Sequence, residues 1–151
     1  MSANKNKNLI HELIEVIYNN QQLDRLGDFI SEDFHNHDGP PDGPTGPDAF
    51  IAYLPMMKRA FPDRRLTPEF TLCDGDYVVS RTVTVGHMTG DLWGIPATGK
   101  PFRITATDTY HIRDGKICER WGNEDALGMM QQLGLVEGDW RTGTNEDIGS
   151  L

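Results

Sequence analysis

The chain has 151 residues and a formal net charge of −9 at pH 7, and its 14 lysines and arginines nowhere form a long basic run. Nucleic acids and anionic membranes require clustered positive charge, so the composition excludes both as partners and favours small molecules or proteins. The length is typical of one domain. We therefore expect residues 1–151 to form a single domain with a polar tail from about residue 136 to 151.

No segment reaches the roughly 18 consecutive apolar residues of a transmembrane helix, and the polar start MSANKNKN is unlike a secretory signal. The two cysteines, Cys73 and Cys118, have neither CxxC spacing nor a Cys/His quartet for zinc. Each lies in a predicted strand, where a cysteine usually behaves as a small buried apolar residue. We therefore expect a protein of the reducing cytoplasm.

Three helices are predicted in the N-terminal part of the chain. Apolar residues recur at helical spacing within residues 8–20, and a second, short helix covers residues 23–30. The next segment, FHNHDGPPDGPTGPD, is so rich in glycine and proline that we predict a loop folded over one end of the domain. A third helix begins at Pro47–Asp48 and ends at Phe61–Pro62, and Pro55 is expected to kink it.

From residue 66 the apolar pattern has a period of two, which predicts strands over residues 66–73, 76–89, 100–113 and 116–122. Asp-Gly pairs at two of the junctions are typical of tight hairpins, and a long loop containing Trp93 joins the middle two strands and could cover a cavity mouth.

A last helix is predicted from Glu124 to Leu133, with Gly134 just after its end. Helices followed by an antiparallel meander predict an α+β domain. We expect three N-terminal helices packed in a strongly curved, mostly antiparallel sheet, which forms a cone with one open end for an apolar ligand.

Four sequence motifs occur in order between about residue 8 and residue 135: HDGPPDGPTGPDAF, then AFPD, then GHxxG with GIPxTGK, and then DGKIxExWxxxD with QQLG. In these motifs the chain resembles the SnoaL-like polyketide cyclases, also called predicted ester cyclases, of the NTF2-like superfamily. The resemblance implies an NTF2-like cone that closes a ring by intramolecular aldol condensation of a polyketide methyl ester, without metal or cofactor. It also implies that Asp125 is the general acid/base and that His111 assists it.

Asp125 fits two interpretations. Aldol closure needs a base to remove a proton next to a carbonyl and an acid to protonate the new alkoxide, and one carboxyl group with a pKa close to neutrality performs both. Burial beside Trp121 would raise that pKa, whereas the helix N-terminus would lower it. Alternatively, Asn123 caps the helix, and Glu124 and Asp125 are ordinary acidic residues of its first turn. The two roles can coexist, and Asp125 is our catalytic candidate.

The strand at residues 100–113 has an apolar face and a polar face. His111 lies on the polar face, which is a solvent-exposed surface, a dimer interface or the polar wall of a cavity. Asp108 is the exception on the apolar face, and a buried carboxylate needs a partner. Arg81 on the neighbouring strand is a candidate partner, and such a pair is most often structural.

Four residues are predicted to contact the substrate. His37 matches a pocket-lining position of the family, just before the Pro-Gly loop. Arg81 and His87 interrupt a row of valines that we expect to face inward, as in a ligand pocket. Trp121 is either a core residue or an aromatic wall against a planar substrate. His35 and His37 lie two apart, but no third ligand follows at a convincing spacing, so no metal is expected.

These features predict acid/base chemistry on a small, largely apolar carbonyl compound, for which polyketide aldol cyclisation is the named example. Epoxide hydrolysis or isomerisation in the same cavity stays open, because Asp108, Arg81 and Asp125 supply the residue types. A non-catalytic binding domain stays open as well. Because a one-sided sheet needs a cover, we expect a homodimer through its outer face.

Overall fold

The structure is a computed structural model and describes residues 2–138. The first helix continues beyond its α-helical part as a π-helical segment, and a short 3-10 turn precedes the second helix. The helical elements are α1 (Ser2–Leu13) with the π-helix Ile14–Asn19, the 3-10 turn Leu23–Arg25, α2 (Leu26–Phe29), α3 (Asp48–Ile51), α4 (Leu54–Ala60) and α5 (Ala126–Gln132).

The described strands form one five-stranded sheet in the order β1-β5-β4-β3-β2. β1 pairs with β5 in parallel, and the other three pairs are antiparallel. This arrangement confirms the predicted α+β class. The strands are β1 (Ile30–Asn36), β2 (Arg65–Asp74), β3 (Tyr77–His87), β4 (Pro101–Arg113) and β5 (Lys116–Glu124).

Two elements differ from the prediction. β1 occupies residues that we assigned to a helix end and a loop. The prediction missed this edge strand because it contains acidic residues and has an irregular register, so its sequence shows no clean alternation. The third helix is divided into α3 and α4 by a turn at Ala52–Tyr53. Pro55 therefore lies in the first turn of α4, where a missing N–H group breaks no helical hydrogen bond.

The hydrophobic core has two clusters. The apolar stripe of α1 and its π-helix packs with α2, β1 and the hairpin end of β4 and β5, around Phe34, Tyr110 and Ile117. A second cluster joins α4, the far end of β4 and α5, around Phe61 and Phe102. The helices therefore fill the sheet at both ends and leave space between the two clusters.

The prediction of which face of β3 points inward is wrong. Side chains alternate along a strand, and the buried residues of β3 are Val78, Ser80, Thr82 and Thr84, not the row that contains Arg81. The other valines of this strand point outward, while small polar residues point inward. The register supports this assignment, since Asp108 of β4 lies opposite Ser80.

Strand β5 contains an irregularity that matters for the site. Next to the turn, Ile112 pairs with Ile117, but His111 already pairs with Glu119, so Cys118 is an extra residue. From there to the end of β5, Arg120, Gly122 and Glu124 share the inner face of the sheet with the even-numbered residues of β4.

No helix within residues 2–138 is long and apolar enough to cross a membrane. The predicted polar tail, residues 136–151, lies outside the described residues from position 139 onward, and the single-domain organisation stays a prediction.

Candidate active site

The space between the two core clusters is a cavity of about 550 Å³, a volume typical of small-molecule sites. Its walls are largely apolar and come from both clusters, and Trp93 of the loop after β3 is one of the lining residues. The apolar lining includes Phe34, Phe50, Met57, Phe102, Ile104 and Met129. Such a cavity suits a flat or compact apolar ligand.

A buried ion pair forms one polar side of the cavity. Arg120 Nη2 lies 2.6 Å from Asp108 Oδ1, and Arg120 Nη1 lies 3.2 Å from Asn36 Oδ1 and 3.8 Å from the Asp38 carboxylate. Burial raises the pKa of Asp108, although the charge and hydrogen bond of Arg120 act against that rise. Burial by itself lowers the pKa of Arg120. The neighbouring phenols and carboxylates have the larger combined effect, so the pKa of Arg120 is raised.

Gly122 makes this ion pair sterically possible. It lies opposite Asp108 on β5, and a methyl group at its Cα would collide with the Arg120 guanidinium and the Asp108 carboxylate. Its N–H group donates to the Asp38 carboxylate, which holds that loop residue against the same strand.

Glu124 is a further carboxylate of the cavity, in addition to Asp38 and Asp108. Although the residue is exposed overall, its side chain contributes to the cavity wall at the end of β5. Desolvation raises the pKa of Glu124, and the nearby Asp108 charge adds to the rise, while Arg120 and Arg64 reduce it. Unlike Asp108, Glu124 forms no ion pair within residues 2–138. A carboxyl group with a raised pKa keeps its proton to a higher pH than a free glutamate, which suits a group that accepts a proton and then returns it.

Two phenols complete the polar lining. Burial raises the pKa of Tyr18 to about 12 and also raises the pKa of Tyr53. Both therefore stay protonated at neutral pH and can donate a hydrogen bond to an oxygen that becomes negative.

The structure brings three of the predicted site residues together, but on the outer face of the sheet. His111 Nδ1 lies 2.8 Å and His37 Nε2 3.2 Å from the two carboxylate oxygens of Glu119. The His37 ring stacks on Trp121 at a centroid distance of 4.4 Å, and Tyr77 stacks on His111 at 4.5 Å. None of His37, His111 and Trp121 is among the described residues that line the cavity.

Arg81 and His87 also lie on the outer face, and each has its own carboxylate partner. Arg81 Nε is 2.9 Å from Glu69, and His87 Nδ1 is 2.6 Å from Asp63. The predicted pair of Arg81 with Asp108 is wrong, since the two side chains point to opposite faces of the sheet. The cavity lining in the described chain contains neither Arg81 nor His87.

Asp125 is the N-cap of α5. Its carboxylate accepts a hydrogen bond of 3.0 Å from the N–H group of Gly128, and a side chain on Gly128 would collide with that carboxylate. The structure makes Asp125 the cap of α5, whereas the sequence predicted Asn123 as the cap and Asp125 as a residue of the first turn. Asp125 is not one of the described residues lining the cavity.

One group in the described chain has a spacing that a metal ion could use. Ligand atoms of His111, Cys118 and Glu119 lie within 4.8 Å of one another. The group belongs to the outer face, away from the cavity, and desolvation raises the pKa of the Cys118 thiol, which works against a thiolate ligand.

A curved sheet around an apolar cavity, with carboxylates, an arginine and phenols on one side, defines an NTF2-like α+β protein with a small-molecule site. The family model described as SnoaL-like polyketide cyclase matches residues 8–133. The chain belongs to the SnoaL-like polyketide cyclase family.

Relatives and solved structures agree with this placement. An aklanonic acid methyl ester cyclase, DauD, from Streptomyces sp. strain C5 is 31% identical over 129 residues, which cover 83% of this chain and 80% of the relative. The nogalonic acid methyl ester cyclase of Streptomyces nogalater is 28% identical over 119 residues, 78% of this chain and 89% of the relative. The structure of IdmH from Streptomyces antibioticus superposes with a TM-score of 0.74 at 29% identity, covering 85% of this chain and 98% of IdmH.

Proposed function

We propose that the protein is a cyclase that closes a ring in a small, largely apolar polyketide-type carbonyl compound by aldol chemistry, and that Glu124 is its acid/base group. The observation that carries this proposal is the position of Glu124, a carboxyl group in the cavity wall whose pKa is raised by desolvation. The relatives named as methyl ester cyclases supply the substrate class.

In the proposed reaction, Glu124 removes a proton from the carbon next to a carbonyl, and an enolate forms. The enolate carbon attacks a second carbonyl of the same molecule, so that one carbon–carbon bond forms and the carbonyl oxygen becomes an alkoxide. Glu124 returns its proton to this alkoxide, and no atom is gained or lost. Arg120 and the protonated Tyr18 lie in the same cavity and stabilise the developing negative charge on oxygen.

Neither metal nor other cofactor has a role in this proposal, because each proton transfer is assigned to side chains. The catalytic roles inferred from resemblance for Asp125 and His111 stay predictions, as do the substrate contacts of His37, His87, Arg81 and Trp121. In the proposal, Asp125 fixes the start of α5 and thereby the direction of the adjacent Glu124.

Adjacent carboxylates allow a sharp test. Purified Glu124→Gln and Asp125→Asn variants are assayed for ring closure of aklanonic acid methyl ester, the compound named in the relatives. We expect Glu124→Gln to lose about 10²- to 10⁴-fold in kcat, and Asp125→Asn to stay within about tenfold of the unchanged protein because an asparagine also caps a helix. The reverse order of effects would assign the acid/base role to Asp125 instead.

A second candidate reaction is epoxide hydrolysis, which the Asp108–Arg120 pair in the cavity favours. Asp108 would take a proton from water, the water oxygen would attack an epoxide carbon, and the opened oxygen would receive a proton from neutral Glu124. Diol formation from styrene oxide, lost in Asp108→Asn, tests this candidate. Ligand binding without turnover in either assay would identify a non-catalytic binding domain.

Homodimerisation through the outer face of the sheet belongs to the same proposal. The outer rows of β2 and β3 expose Phe70, Leu72, Tyr77 and Val85, of which Leu72 is 60% exposed. Apolar residues grouped on one face are typical of an interface. Light scattering should give twice the 17.0 kDa chain mass. We expect Leu72→Glu to give the monomer mass, while Leu127→Glu on exposed α5 leaves the dimer intact.

We also propose a cytoplasmic location, because Cys73 and Cys118 are both free and the reducing cytoplasm keeps thiols in that state.

A further inference from the structure

Trp93 is the most exposed of the large apolar residues in the described chain, and it also lines the cavity. The exposed fraction of this residue is 66%. The other described tryptophan, Trp121, stacks on His37, whereas Trp93 takes part in none of the ring contacts within residues 2–138. One exposed apolar side chain needs no explanation by itself. The backbone of Trp93 supplies a second, independent observation.

This backbone has a conformation that tryptophan rarely adopts. Two hydrogen bonds of 3.0 and 2.8 Å join the backbones of Leu92 and Ile95, so Trp93 and Gly94 form the two-residue turn of a very short hairpin. The φ angles of Trp93 and Gly94 are 50° and 79°, as in a type I′ turn. Asparagine followed by glycine is the favoured pair for this turn, and a bulky residue in its first position is strained. Such strain is found preferentially at functional positions.

The base of the hairpin is fixed to the rest of the domain. Leu92 is fully buried in the second core cluster, and Ile95 packs against the same cluster. Just before the hairpin, the N–H group of Gly90 donates to the carbonyl oxygen of Ala60 in α4 at 3.1 Å, and Gly90 has no room for a side chain there. The fold thus holds Trp93 at the cavity at the expense of both a strained backbone and an exposed indole.

We propose that Trp93 binds the substrate by stacking its indole on one face of a flat system of at least two fused aromatic rings. The inference rests on the proposed function, since it takes this cavity as the substrate site. Stacked aromatic faces attract each other beyond the area that they bury. An indole is itself a pair of fused rings, so it can cover a bicyclic ligand more completely than a single ring.

The position of Trp93 relative to the proposed acid/base group also favours an extended ligand. Trp93 belongs to the loop after β3, while Glu124 lies at the end of β5, and both line the cavity. A ligand that contacts both residues must extend across the cavity, which a fused ring system does better than a single ring. Stacking on Trp93 would then hold one end of the substrate while its reacting carbon lies at Glu124.

The test compares two neutral methyl esters that differ by one fused ring. Methyl benzoate and methyl 2-naphthoate are titrated into the full chain at pH 7, and each Kd is measured by calorimetry. We expect Trp93→Asn to weaken the binding of methyl 2-naphthoate about five- to twentyfold and that of methyl benzoate less than about twofold. Trp93→Phe keeps an aromatic face and should give an intermediate Kd for the naphthoate.

The asparagine variant also separates recognition from structure. Because asparagine followed by Gly94 is the favoured pair for this turn, the Tm of Trp93→Asn should equal or exceed that of the unchanged protein. With aklanonic acid methyl ester as substrate, its KM should rise about five- to twentyfold while its kcat stays within about threefold. The reason is that the stacked rings are bound equally in the ground state and in the transition state.

Leu127→Asn is the matched control, because Leu127 is 46% exposed and is not one of the described residues lining the cavity. It should change neither Kd nor KM. Unchanged naphthoate affinity in Trp93→Asn would overturn stacking by Trp93 and leave the proposed role of Glu124 in place. A fall in Tm with an equal loss of affinity for both esters would do the same, since it would indicate a purely structural role.

Two further outcomes separate this inference from the proposed function. Naphthoate binding that depends on Trp93, in a protein that closes no ring, would support the stacking site and reject the cyclase proposal alone. Failure of both esters to bind the unchanged protein would reject the stacking site together with the cavity as a site for aromatic esters. Glu124→Gln should lose ring closure but keep its affinity for methyl 2-naphthoate, because Glu124 acts in catalysis and Trp93 in recognition.

Discussion

Replacement of Arg120 by methionine should leave the Asp108 carboxylate buried without its ion-pair partner. Only 9% of the Asp108 side chain and 22% of the Arg120 side chain are exposed, so water replaces little of the lost interaction. Breaking a buried pair in this way costs about 3–5 kcal/mol. We take about 3 kcal/mol, the lower end, because Arg120 is partly exposed, and this value corresponds to a fall in Tm of about 6–12 °C for a domain of this size.

The pH dependence and a double variant identify the cause of that loss. Burial already raises the pKa of Asp108, and removal of Arg120 raises it further. A carboxyl with a raised pKa in the folded state favours folding below its unfolded pKa and loses that contribution as pH rises through its folded pKa. The destabilisation of Arg120→Met, measured by urea unfolding, should therefore be larger at pH 8 than at pH 5.

Adding Asp108→Asn to Arg120→Met should recover much of the lost stability, because the uncompensated charge is then removed. A pH-independent loss, or a double variant less stable than Arg120→Met alone, would contradict the explanation by an unpaired carboxylate.

Three further outcomes are expected. Gly122→Ala should push Arg120 away from its partner and lower the free energy of unfolding by about 1–3 kcal/mol in urea titrations, and an unchanged stability would show that the strand relaxes freely. The acid limb of kcat against pH should lie above the usual glutamate pKa of 4.5, because Glu124 is protonated where a free glutamate is ionised; a limb at or below 4.5 would exclude it as the base. Asp125→Ala should cost about 1 kcal/mol in thermal unfolding through loss of the cap on Gly128, whereas Asp125→Ser should cost less.

Much of the fold follows from local signals in the sequence. Helical spacing in residues 8–20, the change to period two at residue 66 and the Asp-Gly turns each found the right element. Asp114 and Gly115 both have positive φ, as a tight two-residue hairpin turn requires. β1 was missed because its partner, β5, is far away in sequence and its own pattern is acidic and irregular.

The inward face of β3 could not be chosen from hydrophobicity. In a strand with core on one side, apolar residues normally mark the buried face. Here the inner face lines a ligand cavity and carries Ser80, Thr82 and Thr84, while the outer face carries valines. Polar residues on the cavity side of this strand and valines on its outer side together reverse the usual pattern, and Arg81 was assigned to the wrong side for that reason.

The extra residue at Cys118 explains why the sequence pointed to Trp121 instead of Arg120. If the hairpin register at Ile112 and Ile117 continued unchanged, Asp108 would lie opposite Trp121, and the odd-numbered residues of β5 would face the cavity. The bulge moves the partner of Asp108 to Gly122 and turns Arg120 and Glu124 inward.

The same shift decides which of two adjacent carboxylates lines the cavity. Glu124 ends β5 on the inner face, while Asp125 leaves the sheet and begins α5. A bulge is a tertiary feature with no distinctive residue pattern at this position, so alternation alone places the side chains of β5 beyond Cys118 on the opposite face. The inward orientation of Arg120 and Glu124 therefore depends on one extra residue, Cys118, which lies fewer than ten positions from each of them.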